Sequence, residues 1–140
     1  MKSIALLLCL ACPVFAASPE PPVPVFREAT PAESKAFVEK TRDCLVLDVR
    51  TPYEYRKGHI DGARLIDFYG DRFDAELKKL DRSKPVLLYC ASGGRSATTR
   101  DRMKQVGFTH VVHLTDGFNS WKKAGLPVSQ SETSSPKATP

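Results

Sequence analysis

Two kinds of apolar pattern alternate along the chain. Cys44-Leu45-Val46-Leu47 and Pro85-Val86-Leu87-Leu88-Tyr89-Cys90 are continuous apolar runs, the signature of strands buried on both faces of a parallel sheet. Between and around them, apolar residues recur at helical spacing. Phe26 to Glu28 predicts a short edge strand. Thr30-Pro31-Ala32-Glu33 is a capping box with proline at the first helical position, and the helix it opens runs to about Lys40 with Ala32, Ala36, Phe37 and Lys40 inward. Thr51-Pro52-Tyr53-Glu54 repeats the pattern and starts a short second helix, broken at Lys57-Gly58. Ala63 to Ile66 reads as a short strand, and Asp71 to Leu80 as a helix with Phe73, Leu77 and Leu80 inward. Beyond the Cys90 run, Arg95 to Val106 is helical, with Gly107 in the C′ role. His110 to Leu114 is a strand of β-branched character, Asp116-Gly117 a turn, and Phe118 to Ala124 a last helix carrying the sole Trp121. Strands alternating with helices predict one α/β domain over residues 26–128, a central, mostly parallel five-stranded sheet flanked by helices in three layers.

The ends of the chain read differently. Lys2, the apolar run Ile4 to Cys12 and the small residues through Ala17 form a secretory signal peptide over residues 1–17, too short for a membrane span. The mature protein is then expected to be periplasmic or secreted; acylation of Cys12 as a lipoprotein is the alternative. Residues 18–25 hold four prolines and read as a linker, and residues 129–140, without apolar anchors, as a disordered tail. The 140 residues suffice for one core, and 41% hydrophobic with 26% charged residues is ordinary soluble composition. A net charge of +5 suits small anionic substrates or, more simply, a solvated basic surface. Its lysines and arginines are spread along the chain rather than clustered among aromatics, which argues against nucleic acid as a partner. Cleavage would leave Cys44 and Cys90. One begins a strand and the other ends a parallel one, about 15–20 Å apart at roughly 3.3 Å per residue, beyond disulfide reach.

Cys90 is the centre of the candidate chemistry. A cysteine at a strand end, followed by Ala91-Ser92-Gly93-Gly94 and a helix opening at Arg95-Ser96, lies where backbone N–H groups and a helix dipole converge. Such surroundings lower a thiol pKa and bind anions. An isolated cysteine is more often a small buried hydrophobe; the Gly-Gly-Arg that follows favours the nucleophile. Gly93 and Gly94 permit a tight curl, and Arg95 adds positive charge. Asp48-Val49-Arg50 ends another strand and so faces the same rim. Asp48 either polarises the site or is a structural partner of Arg50, which ties its loop to Glu54. The hydroxyls of Ser92, Ser96 and Thr98 have no histidine near them in sequence. His110 and His113 are three apart in a strand, point to opposite faces and form no metal pair. His59 reads as a loop tie, and Leu114, Phe118 and Trp121 as core. No metal or cofactor is expected.

Four ordered blocks then acquire a common meaning. Leu47-Asp48-Val49-Arg50-Thr51-Pro52-Tyr53-Glu54-Tyr55, Gly58-His59-Ile60-Asp61-Gly62-Ala63, Tyr89-Cys90-Ala91-Ser92-Gly93-Gly94-Arg95-Ser96-Ala97 and Leu114-Thr115-Asp116-Gly117-Phe118-Asn119-Ser120-Trp121 resemble a single-domain rhodanese. The resemblance implies that Cys90 takes a sulfane sulfur from a donor such as thiosulfate and holds it as a persulfide. A thiophilic acceptor, cyanide or a thiol, small or on a partner protein, then removes it. Residues Ala91 to Ser96 would bind the donor, with Arg95 at the sixth loop position holding the anionic charge. It also implies that a loop with four residues between cysteine and arginine handles sulfur, whereas related phosphatases carry a longer Cys-x5-Arg loop. Asp116 departs from the family, which often has glycine there. Ala91-Ser92 leaves the donor open. The alternatives are a rhodanese-like module that only binds partners, a persulfide carrier or redox-sensing thiol, and a phosphatase of the same fold.

Overall fold

A computed structural model describes residues 24–130. The leader, most of the linker and residues 131–140 of the expected tail lie outside them. In chain order the elements are β1 (Val25–Ala29), α1 (Pro31–Lys40), β2 (Leu45–Asp48), α2 (Pro52–Arg56), β3 (Arg64–Leu65), α3 (Phe73–Lys78), β4 (Val86–Tyr89), α4 (Gly94–Gln105), β5 (His110–Leu114) and α5 (Gly117–Lys123). The strands form one sheet in the order β1-β5-β4-β2-β3, and every neighbouring pair is parallel.

The continuous apolar runs became the sheet centre for the expected reason. In β4, Val86, Leu87, Leu88 and Tyr89 are all fully buried, because helices cover both faces. Val86, Leu88 and Cys90 share a core with Phe73 and Leu77 of α3 and Met103 of α4. Leu87 and Tyr89 point the other way, into a core with Phe37 of α1 and Phe118 and Trp121 of α5, against which Tyr55 of α2 packs.

Both capping boxes formed. The Thr30 and Thr51 hydroxyls accept from the backbone N–H of Glu33 and Glu54, while those carboxylates accept from the backbone N–H of Thr30 (2.8 Å) and Thr51 (3.0 Å). The inner face of α1 differs from the expected one. Ser34 and Phe37 are its buried residues, and Ala32 and Lys40 are exposed. Alanine has little apolar area with which to orient a helix; the Phe37 ring, packed 5.4 Å from that of His110, decides the facing. α3 is shorter at both ends than predicted, since turns closed by Gly70 and Phe73 N–H precede it. Phe73, Leu77 and Leu80 are nonetheless buried. At the boundaries, Val25 belongs to β1 rather than to a linker. Ser129, read as tail, exchanges backbone hydrogen bonds with His59 (2.8 and 2.9 Å) in an antiparallel bridge. No helix of the described residues is long and apolar enough to cross a membrane.

Candidate active site

Cys90 leaves the sheet on the face that carries α4 and is 1% exposed. Its loop takes shape from what anchors it. The carbonyls of Cys90 and Ala91 accept hydrogen bonds from Phe118 N–H (2.7 Å) and Asn119 N–H (3.0 Å), in the first turn of α5. A trans peptide points its N–H opposite to its C=O, so tethering the Ala91 carbonyl outward turns the Ser92 N–H back toward the sulfur. Cys90 Sγ accepts from Gly93 N–H at 3.1 Å and from the Ser96 hydroxyl at 3.3 Å. Burial pushes the Cys90 thiol up; donation from the Ser96 hydroxyl and from the backbone N–H groups of Ser96, Ser92 and Gly93 outweighs it, and the thiol ionises below its ordinary value.

Two glycines make this packing possible, and they are not the pair the sequence suggested. Gly93 has φ +100°, and a Cβ there would stand 1.9 Å from the Thr115 carbonyl oxygen. Gly117, at φ +61°, presses on the loop from the α5 side, where a Cβ would lie 2.5 Å from the Cys90 carbonyl oxygen. Gly94 has open space around it and needs no glycine.

Arg95 stands at the start of α4 with its guanidinium forked onto Glu54, Nη1 to Oε2 at 2.9 Å and Nη2 to Oε1 at 2.7 Å. That fork is the main reason the Glu54 carboxyl is pulled from 4.5 to about 2. Glu54 therefore serves both the α2 cap and Arg95. The expected tie between Arg50 and Glu54 is replaced by another: Arg50 turns inward, donating to Asp48 Oδ2 (2.6 Å) and the Gly58 carbonyl (2.7 Å), with its guanidinium 4.1 Å from the Phe118 ring centre. Asp48 alternates to the sheet face opposite Cys90 and is fully buried. Sequence placed both on the Cys90 rim; they lie at that end of the sheet but on the face opposite the sulfur. Only Arg50 borders the adjoining cavity of about 180 Å³, which Lys57, Lys122, Glu54, Phe118 and Ala91 also line. Three cations against one carboxylate give it a positive lining.

Behind the sulfur lies a polar chain that sequence spacing did not show. Ser96 Oγ is 2.8 Å from His113 Nε2, and His113 Nδ1 is 2.7 Å from Glu28 Oε2. Thr115 Oγ1 donates to the same oxygen at 2.9 Å, and Arg100 pairs with Oε1. His113 and His110 do point to opposite faces. The histidine missing beside Ser96 is thus His113, brought from β5 by strand register: it pairs with Leu88 and with Glu28. Parity along β4 and β5 was the available signal. His59 ties its loop as expected, through Nδ1 to the Tyr55 carbonyl (3.0 Å) and a stacked Tyr55 ring. Cys44 and Cys90 are both free.

The family model described as a rhodanese-like domain matches residues 30–124. The chain is 37% identical over 98 residues to "Probable adenylyltransferase/sulfurtransferase MoeZ" of Mycobacterium tuberculosis, covering 70% of this chain but only 25% of that protein. It is 31% identical over 98 residues to "Thiosulfate sulfurtransferase GlpE" of Coxiella burnetii, covering 70% of this chain and 89% of that one. Among solved structures, a rhodanese-related protein from Thermoplasma volcanium shares the fold at a TM-score of 0.67 and 29% identity, over 76% of this chain and 100% of that chain. A parallel sheet that delivers a cysteine into a loop of N–H donors, matched over most of its length by proteins named sulfurtransferases, belongs to the rhodanese-like family.

Proposed function

We propose that this protein is a sulfurtransferase that carries sulfane sulfur on Cys90. The Cys90 thiolate attacks the outer sulfur of a donor such as thiosulfate. A sulfur–sulfur bond forms, the bond to the sulfonate breaks, and sulfite departs with the electron pair. An acceptor, cyanide or a thiolate on a small molecule or a partner protein, then attacks the outer sulfur of the persulfide. It leaves with that sulfur, and the Cys90 thiolate is restored. This is covalent catalysis in two displacements.

The observation that carries the reading is the convergence of donors on one sulfur: Gly93 N–H at 3.1 Å and Ser96 Oγ at 3.3 Å. Donors set for a thiolate also serve the terminal charge of a persulfide. The Arg95 guanidinium, whose charge acts on Cys90, and the positive lining beside Ala91 suit an anionic donor. We place this activity in a periplasmic or secreted compartment on the N-terminal pattern described above. The test is intact mass after incubation with thiosulfate. The wild-type protein is expected to gain one sulfur atom and lose it to cyanide, and Cys90→Ser to gain none. An unchanged wild-type mass with thiosulfate and with other sulfane donors overturns the proposal.

A further inference from the structure

The Ser96–His113–Glu28 chain begins at the reactive sulfur and ends at the surface. His113 is 3% exposed, whereas the Glu28 side chain is 48% exposed. A buried imidazole between a hydroxyl that touches a thiol and a carboxylate has two proton arrangements that satisfy thiol, ring and carboxylate; the Gly93 carbonyl, 3.0 Å from Ser96 Oγ, already accepts from Ala97 N–H. In one, the Cys90 thiol donates to Ser96 Oγ, the Ser96 hydroxyl donates to a neutral His113 at Nε2, and His113 Nδ1–H donates to Glu28. In the other, Cys90 is a thiolate accepting from the Ser96 hydroxyl, and an imidazolium donates through Nε2–H to Ser96 and through Nδ1–H to Glu28.

We propose that His113 is a positioning residue that takes the Cys90 proton through Ser96, so that the resting site is a thiolate–imidazolium pair joined by a serine and braced by Glu28. The step balances without any co-reactant: the S–H bond breaks, the Ser96 oxygen receives that proton and passes its own to Nε2, and no electrons change hands. The charge freed at sulfur is matched by the one gained at the ring. The charged and titratable groups around the ring are few. Glu28 faces it from β1, with Arg100 of α4 on the far carboxylate oxygen, and Cys90 lies behind Ser96. Glu28 is itself suited to brace a cation: partial burial pushes its carboxyl up, but Thr115, His113 and Arg100 outweigh this and hold it below its ordinary value. The residue pair is also fixed geometrically, because Glu28 and His113 are register partners of neighbouring strands.

This inference concerns how the thiol ionises and rests on the proposed use of Cys90 as nucleophile, but its test needs no sulfur donor. The rate of iodoacetamide alkylation at Cys90, read by peptide mass from about pH 4 to pH 10, gives the thiolate fraction. His113→Gln keeps a hydrogen-bonding side chain but cannot take a proton. It is expected to move the alkylation profile up by about one pH unit or more, roughly a tenfold slower reaction on the rising limb. Glu28→Gln moves it the same way by less. In a Ser96→Ala background, His113→Gln adds no further shift, because the proton route is already cut; a merely structural role would add its effect independently. A folded His113→Gln protein with an unchanged profile overturns the proposal, as does a full additional shift in the Ser96→Ala background. Should His113→Gln not fold, Glu28→Gln decides: an upward shift upholds the proposal and an unmoved profile overturns it.

Discussion

Gly93 and Gly94 are neighbours in sequence with opposite tolerances. Gly93→Ala would place a methyl 1.9 Å from the Thr115 carbonyl at φ +100°, combining overpacking with a left-handed backbone, and is expected to cost about 2–4 kcal/mol. Gly94→Ala meets nothing within 4 Å and should stay within about 0.5 kcal/mol of wild type. Urea midpoints of the two variants, taken with their Cys90 alkylation rates, check both. The cysteine itself was legible, because an apolar run ending in a thiol and a small-residue loop is a local pattern. Which glycine is indispensable was not, because the answer lies in Thr115 and in the carbonyls that Gly117 approaches, both distant in sequence. For the same reason Asp48 and Arg50 look like site residues in the sequence. Only the pleat puts Asp48 behind the sheet.

At the scale of elements, Glu54 joins the first turn of α2 to the first turn of α4. Its carboxylate is depressed to about 2, so the pair with Arg95 contributes fully above the ordinary carboxylate value of 4.5 and is lost as pH falls toward 2. Glu54→Gln keeps the capping box, which accepts glutamine as well as glutamate, but removes the charge and one arm of the Arg95 fork, since the amide NH2 cannot accept from the guanidinium. The pair is partly exposed, 17% at Arg95 and 29% at Glu54, so solvent screens it and the variant is expected to lose about 1 kcal/mol at neutral pH. The wild-type advantage should vanish as the medium is acidified through that window; parallel denaturation curves at stepped pH would show it, and a constant difference would disprove it. The caps of α1 and α2 could be read directly, since both partners sit within four residues of each other. The face of α1 could be read only in part: Phe37 is inward as expected, but Ser34 shares its face while Ala32 and Lys40 are exposed. Glu54 looked free for Arg50 in the sequence, and Arg95 is the partner that tertiary structure supplies.

For the molecule as a whole, the alternation of runs and helical stretches was enough to predict a parallel five-stranded sheet, because continuous apolar strands require cover on both faces. Strand order and edge identity needed the structure. Parallel pairing of β2 with β4, Leu45 opposite Val86, puts Cys44 and Cys90 at opposite ends of adjacent strands. Oxidation with a thiol-specific oxidant is therefore expected to yield no Cys44–Cys90 linked peptide from native protein, and to yield one only after unfolding. Peptide mapping without reductant distinguishes the outcomes. The polar chain behind Cys90 belongs to this scale as well: Glu28 and His113 lie 85 positions apart, and no local pattern joins them.

The pairing of β1 with β5 has a consequence for the order of assembly. β1 stands at the edge and has β5 as its partner, so a chain synthesised from its N-terminus carries an unsatisfied first strand until its last one appears. Closing so long a loop defers its reward to the end of folding. The groups that curl the Cys90 loop, Thr115, Gly117 and the N–H donors of α5, all arrive with or after that final strand. A growing chain that already contains Cys90 but not yet residue 110 lacks the anchors that hold its loop. On the proposed use of Cys90, the loop that activates the nucleophile is therefore complete only when the whole domain is.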